Sequence, residues 1–139
     1  MNIKCSENTI PLSNEIKLFG VAIDNKLKFD AHIVSVCRKV SGRVNALNRL
    51  KIILPVKTKE ALYRAFMLPN FYYCSQVWHH CGARNSNKLE RANERALRDV
   101  FKDHQRTAPY KELLPRIGIG STLEYFRESP HLGYAYHHQ

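Results

Sequence analysis

The chain has 139 residues, 44% hydrophobic and 24% charged, a balance that fits one folded domain and excludes a low-complexity chain or a multi-domain enzyme. Twenty-two Lys and Arg stand against twelve Asp and Glu, and the formal net charge of +10 points to a polyanionic partner, nucleic acid or an anionic membrane surface. Apolar runs are only a few residues long, far short of the ~20 of a spanning helix, and Met1-Asn2-Ile3-Lys4-Cys5-Ser6 lacks the apolar core of a secretory signal, so the expected setting is cytoplasmic or nuclear.

Residues 1–15 are polar and are expected to be irregular. Residues 16–23 are rich in strand formers and end at the turn signal Asp24-Asn25. Apolar side chains of both parities predict a strand covered on both faces. Gly20 would mark a bulge or a close backbone approach, and Leu27 and Phe29 a return strand completing a hairpin. Asp30 reads as a helix N-cap. Behind it Ile33, Cys37, Val40, Val44 and Leu47 recur at spacings of four, three, four and three, predicting a helix to about Leu50, ~30 Å long. Ser35, Gly42 and Ala46 lie on its opposite side.

A second helix is predicted from near Thr58, turning Ala61, Leu62, Ala65 and Phe66 to the core, with Pro69 stopping or kinking it. The aromatic run 71–78 then continues as buried helix, Cys81-Gly82 ends it, and residues 84–87 form a polar loop. The third helix covers about 87–101, with Leu89, Ala92, Ala96 and Val100 inside. Pro109 opens a short fourth helix through Leu114, broken by Gly118 and Gly120. Ser121-Thr122-Leu123-Glu124 has capping-box spacing and predicts a fifth helical turn. The expected architecture is therefore mainly α, an N-terminal β-hairpin followed by four or five helices. Its divisions would be an irregular segment 1–15, a hairpin-plus-helical domain 16–127, and a loose tail 128–139.

Four cysteines, Cys5, Cys37, Cys74 and Cys81, fit reduced thiols better than a disulfide framework when no secretory signal is present. Cys37 falls on the apolar stripe of the first helix. Cys74, His79, His80 and Cys81 raise the question of zinc. Their intervals are irregular, however, and only the tail histidines His137 and His138 offer a second pair, so ordinary packing is the simpler reading.

Between Asp30 and Glu60 no acidic residue occurs, while Arg38, Lys39, Arg43, Arg49, Lys51, Lys57 and Lys59 carry seven positive charges. On the first helix Arg38 and Arg49 point away from the apolar stripe, and Lys39 and Arg43 flank it. Without internal neutralisation, an external anion is the natural compensation, which favours a nucleic-acid backbone over a merely solubilising face. A membrane is disfavoured, because the faces opposite these charges are needed for the core. Arg91, Arg95, Arg98 and Lys102 form a second stripe on the third helix, diluted by Glu90, Glu94 and Asp99. Glu94 can pair with Arg98 four residues on, so a solvated, salt-bridged face competes there with a binding role. No phosphate-binding glycine loop, nucleophile elbow or zinc-protease motif is present. Asp24, Asp30, Asp99 and Asp103 are too scattered in sequence to gather metal ions, and no catalytic residue or metal site is expected.

Several segments together resemble one family. Residues 17–33, beginning Lys17-Leu18-Phe19-Gly20-Val21 and passing through Asp24-Asn25-Lys26-Leu27, look like the sequence after the catalytic palm in reverse transcriptases of non-LTR (LINE-type, jockey-like) retrotransposons. Asn45-Ala46-Leu47-Asn48-Arg49-Leu50, Tyr72-Tyr73-Cys74-Ser75-Gln76-Val77-Trp78, Glu94-Arg95-Ala96-Leu97-Arg98 and Tyr110-Lys111-Glu112-Leu113-Leu114 follow in the family's order, and the likeness covers about residues 12–127. The resemblance implies that Leu18, Phe19, Gly20 and Val21 sit at a primer-grip-like hairpin and that the helices form a thumb holding the template–primer duplex. Arg38, Lys39, Arg43, Arg49, Lys51, Arg91, Arg95 and Arg98 would then meet the nucleic-acid backbone.

The family's Asp-Asp motif, which binds Mg²⁺ in the palm, has no counterpart, since no Asp-Asp dipeptide occurs. The expectation is thus a fragment of an RNA-directed DNA polymerase without a cofactor of its own and inactive alone. Its partners would be an RNA–DNA hybrid or duplex, an intact polymerase, or a second copy joined through an unpaired strand edge. Two other readings remain: a stand-alone basic helical nucleic-acid-binding module, and an interaction module docking through Phe71, Tyr72, Tyr73 and Trp78.

Overall fold

A computed structural model describes residues 3–5, 8–78, 80–102 and 107–118. The chain is mainly helical, with antiparallel hairpin structure ahead of the helices. A short ladder, β1 (Ile3–Cys5) with β2 (Asn8–Ile10), occupies the segment expected to be irregular. Strand β3 (Glu15–Leu18) pairs with β4 (Val21–Asp24), Leu18 opposite Val21, so Phe19 and Gly20 form a two-residue loop. Both have positive φ, 49° and 81°, the signature of a type I′ turn, whose twist matches that of the flanking strands. Residues 16–23 are therefore a complete hairpin rather than one strand. Gly20 is its turn residue and not a bulge, and Leu27 and Phe29 form no return strand. Nor is β3 covered on both faces: it is exposed throughout, because only β4 adjoins it, and Val21 alone in the pair is buried.

The loop into the helices is organised by Asp24 and not by Asp30. The Asp24 carboxylate accepts the N–H groups of Lys26, Lys28 and Phe29 at 3.0, 3.1 and 2.6 Å. These donors, Lys28 foremost, hold its carboxyl below the usual range. Phe29, in the left-handed region at φ 58°, is the residue before helix α1 (Asp30–Arg49), and no side chain caps that end. Asp30 instead accepts a hydrogen bond from Asn85 at 2.8 Å. The periodic stripe of α1 is buried at Ile33, Val40, Val44 and Leu47, joined by His32 and Val36, while Cys37 is half-buried.

The arm after α1 departs most from the simple period. Helix α2 (Val56–Leu62) runs through a π-helical turn (Tyr63–Met67) into α3 (Leu68–Tyr72). Its buried residues are Lys59, Tyr63, Met67 and Phe71, whereas Ala61, Ala65 and Phe66 are exposed and Leu62 is half-buried. The buried face differs from the expected one already in α2, where Lys59 is in and Ala61 is out, and the wider π turn carries the four-residue stripe on to Met67 and Phe71. The chain bends again at Tyr73 and Cys74 (φ 52°) before α4 (Ser75–Trp78), so the aromatic run is not one continuous helix.

Helix α5 (Ala83–Phe101) begins four residues ahead of expectation, and residues 84–87 are its first turn rather than a loop. Asn85 holds this turn by tertiary contacts, donating to the Lys28 carbonyl at 3.1 Å as well as to Asp30, while Ser86 is buried against the nearby Cys81. At the other end Asn48 donates to Asp99 at 2.8 Å, so α1 and α5 run parallel, pinned at both ends. The arm packs antiparallel to both. Buried Tyr63 donates to Asn93, Asn93 donates to Tyr110 at 2.9 Å, and Tyr110 donates to Glu90 at 2.6 Å. This chain ties the π turn and α6 (Tyr110–Arg116) to α5, while Leu113, Leu114 and Ile117 add apolar cover. The expected turn at 121–124 and the tail lie outside the described residues. Among the described residues no helix is long and apolar enough to cross a membrane.

Candidate nucleic-acid interface

Three elements meet around a cleft of about 420 Å³: the tip of the β3–β4 hairpin, one flank of α1, and the α2–α3 arm. Phe19 and Gly20 come from the tip, Lys39 and Arg43 from α1, Phe66 and Tyr73 from the arm. Lys39 and Arg43 are four residues apart, hence one above the other on the same helix flank. Arg43 donates to the Phe66 carbonyl, fastening α1 to the π turn. Tyr73 donates its O–H to the Phe19 carbonyl at 2.7 Å, fastening the arm to the hairpin tip. Asn70, also on the wall, donates to the Phe66 and Met67 carbonyls at 2.6 and 3.1 Å.

His32 lies beneath them, its ring 5.7 Å from that of buried Trp78. Its Nε2 is buried without a hydrogen-bond partner. Burial, reinforced by the Lys39 charge, pushes the imidazole pKa down and favours the neutral ring.

The structure brings part of the expected basic set together here and sends the rest elsewhere. Arg38 and Arg49 are exposed on the solvent side of α1, about half a turn from the buried stripe at ~100° per residue. Arg91 and Arg95 are exposed on α5, and Arg95 donates to Asn45 of α1 at 3.4 Å, bridging the seam between the parallel helices. Lys51 is exposed in the turn after α1, and Lys57 is exposed on α2. Arg98 differs: Glu94 pairs with it at 2.8 Å and the Ala108 carbonyl accepts from it at 3.2 Å, so its charge is already compensated.

Lys59 also leaves the external set. It is 1% exposed, and its Nζ has no hydrogen-bond partner. Desolvation pushes its pKa down, with Lys102 and Lys51 acting in the same direction and Asp99 opposing them. Lys59 lies four residues ahead of Tyr63 on the stripe that Met67 and Phe71 continue, but a lysine between Thr58 and Glu60 looks like surface.

Of the hairpin residues, Leu18 and Phe19 are exposed and Val21 is in the core. Phe71 and Trp78 are buried at 2% and 1% exposure while Tyr73 faces out, so the aromatic run does not form one exposed docking patch. Sequence reasoning missed His32, Phe66 and Asn70 as cleft residues. Phe66 was assigned to the core by a helical period that the π turn breaks, and His32 looked like one more polar position near a helix start. No disulfide joins Cys37, Cys74 and Cys81. Among the described residues no group of three or more His, Cys, Asp or Glu could hold a metal ion. Asp24, Asp30 and Asp99 are each engaged in holding the fold.

Fold and site together define a basic, mainly helical module whose hairpin tip overhangs a cationic cleft. Compared with known proteins, the chain matches no family model and no solved structure. It is 26% identical over 90 residues to a probable RNA-directed DNA polymerase from transposon BS of Drosophila melanogaster. It is 28% identical over 93 residues to an RNA-directed DNA polymerase from mobile element jockey of Drosophila funebris. Each match covers 63% of this chain and 10% of the relative, so the chain spans about a tenth of the length of the curated relatives it matches. These matches support a reverse-transcriptase-related region of the non-LTR retrotransposon kind, in agreement with the resemblance read from the motifs.

Proposed function

We propose that this chain is a thumb-like part of a non-LTR retrotransposon RNA-directed DNA polymerase, gripping the template–primer backbone without performing catalysis. The supporting observation is that Lys39 and Arg43 line one cleft with the hairpin tip and, among the described residues, pair with no carboxylate, while Arg38, Arg49, Arg91 and Arg95 are exposed on α1 and α5. Cations so arranged contact phosphates and set the register of a nucleic acid without reading base edges. Mg²⁺ chemistry would reside in a carboxylate-bearing segment outside this chain or in an intact polymerase acting beside it, in the cytoplasm or nucleus.

Fluorescence anisotropy of the full chain with a labelled RNA–DNA hybrid, across a range of salt concentrations, tests the reading. Four phosphates neutralised would give a log–log slope of roughly −3 to −4. Lys39→Glu combined with Arg38→Glu should weaken binding at least ~10-fold at low salt, since each lost contact also becomes a repulsion. Preference for the hybrid over duplex DNA supports polymerase descent. Salt-insensitive binding, or none at the lowest salt, overturns the reading.

A further inference from the structure

Phe19 occupies a position that folding disfavours. It sits first in a type I′ turn, at φ 49°, where Asn, Asp or Gly is preferred and a bulky residue is a conformational outlier. The strain purchases no packing, because the side chain is 79% exposed. Such an outlier points from structure to use. Across the cleft Phe66 is also exposed, and the Tyr73 hydroxyl on the Phe19 carbonyl holds the tip over the gap. Lys39 and Arg43 line the same cleft, as does His32, which is 5% exposed.

Aromatic faces beside cations are the means by which proteins hold unpaired strands: bases stack, phosphates are neutralised, and sequence matters little. A duplex offers no free base faces along its length, and a cleft of about 420 Å³ is of small-ligand size rather than duplex size. We propose that the cleft holds an unpaired nucleotide, its base stacked on the exposed rings of Phe19 and Phe66 that line it and its phosphate on Lys39 and Arg43. This rests on the nucleic-acid reading above and adds a single-strand subsite to it.

The test uses an eight-nucleotide single-stranded DNA, an abasic strand with the same number of phosphates, and a blunt duplex, each titrated with the full chain by anisotropy. The base-bearing strand should bind about 5- to 100-fold more tightly than the abasic one. Phe19→Asn suits the turn better than the native residue, so its melting temperature should rise while the preference for bases collapses. Phe66→Ala, on an exposed arm position, should reduce the same preference and provides a second variant. Equal, salt-sensitive binding of the base-bearing and abasic strands overturns the subsite, returns the aromatic wall to a protein contact, and leaves backbone gripping standing. Failure to bind any of the three probes sinks both readings. A Phe19→Asn variant that folds and keeps its preference for bases also overturns the proposal.

Discussion

Lys59 is a cation that the fold buries without giving its ammonium a hydrogen bond. Replacing it by an apolar chain of similar length removes the desolvation penalty, so Lys59→Met should raise the unfolding free energy by about 1–2 kcal/mol at pH 7. The sign of the pH dependence follows from linkage. The folded-state pKa is depressed, so the unfolded chain binds more protons between that lowered value and the ordinary 10.5. Stability should therefore climb with pH through that window, be fully recovered above it, and be lost as pH falls through the folded pKa. Urea titrations at stepped alkaline pH should show this climb in the native chain and a flatter profile in Lys59→Met.

Tyr73 carries a different kind of burden, since its hydroxyl tethers the hairpin tip to the arm. Tyr73→Phe should lower stability by about 1 kcal/mol and speed amide exchange at Val21.

Among the elements, α1 was the most legible in sequence, because a stripe at alternating four and three spacing is buried whatever it packs against. Its start was misread at Asp30, since the true organiser is a carboxylate six residues earlier that closes a loop. The arm departs from expectation in phase, since Lys59 takes the core position expected of Ala61 and a π turn that no local propensity announces follows. The first turn of α5 was hidden because Asn85 looks like a loop residue until its partners Lys28 and Asp30 across the molecule are known. The far end of α5 offers a check on local conformation. Lys102, its exposed C-cap, has φ 58°, the left-handed region that glycine enters without strain. Lys102→Gly should add about 0.5–1 kcal/mol of stability, read as a rise in melting temperature.

Across the whole molecule, the two ladders are only two strands wide, and β3 shows Ile16 and Leu18 to solvent beside an open edge. Ile52 and Ile53 after α1 are exposed as well. Open edges and unpaired apolar side chains favour association, opposed here by a net charge of +10. Sedimentation velocity should show concentration-dependent self-association that strengthens as salt screens the charge. Ile16→Lys, which puts a cation on the edge strand, should suppress it. A monomer at all concentrations and salts would show that the β3 edge is inert.

Composition, charge and hydrophobic period were enough to establish a basic, mainly helical chain with an N-terminal hairpin and its longest helix, and the order of its motifs separately resembles that of non-LTR reverse transcriptases. These are properties of neighbouring residues, and burial of a stripe follows from local spacing alone. The cleft was settled only by packing. Phe19, Lys39, Arg43, Phe66 and Tyr73 come from three elements as much as 54 positions apart, and only the packing of the arm against α1 and the hairpin brings them to one cleft. The same packing withdrew Lys59 into the interior, whereas the pairing of Arg98 with Glu94 follows from their four-residue spacing on one helix. Charge can be counted along a chain, but its availability to a partner depends on which side of each helix the core claims.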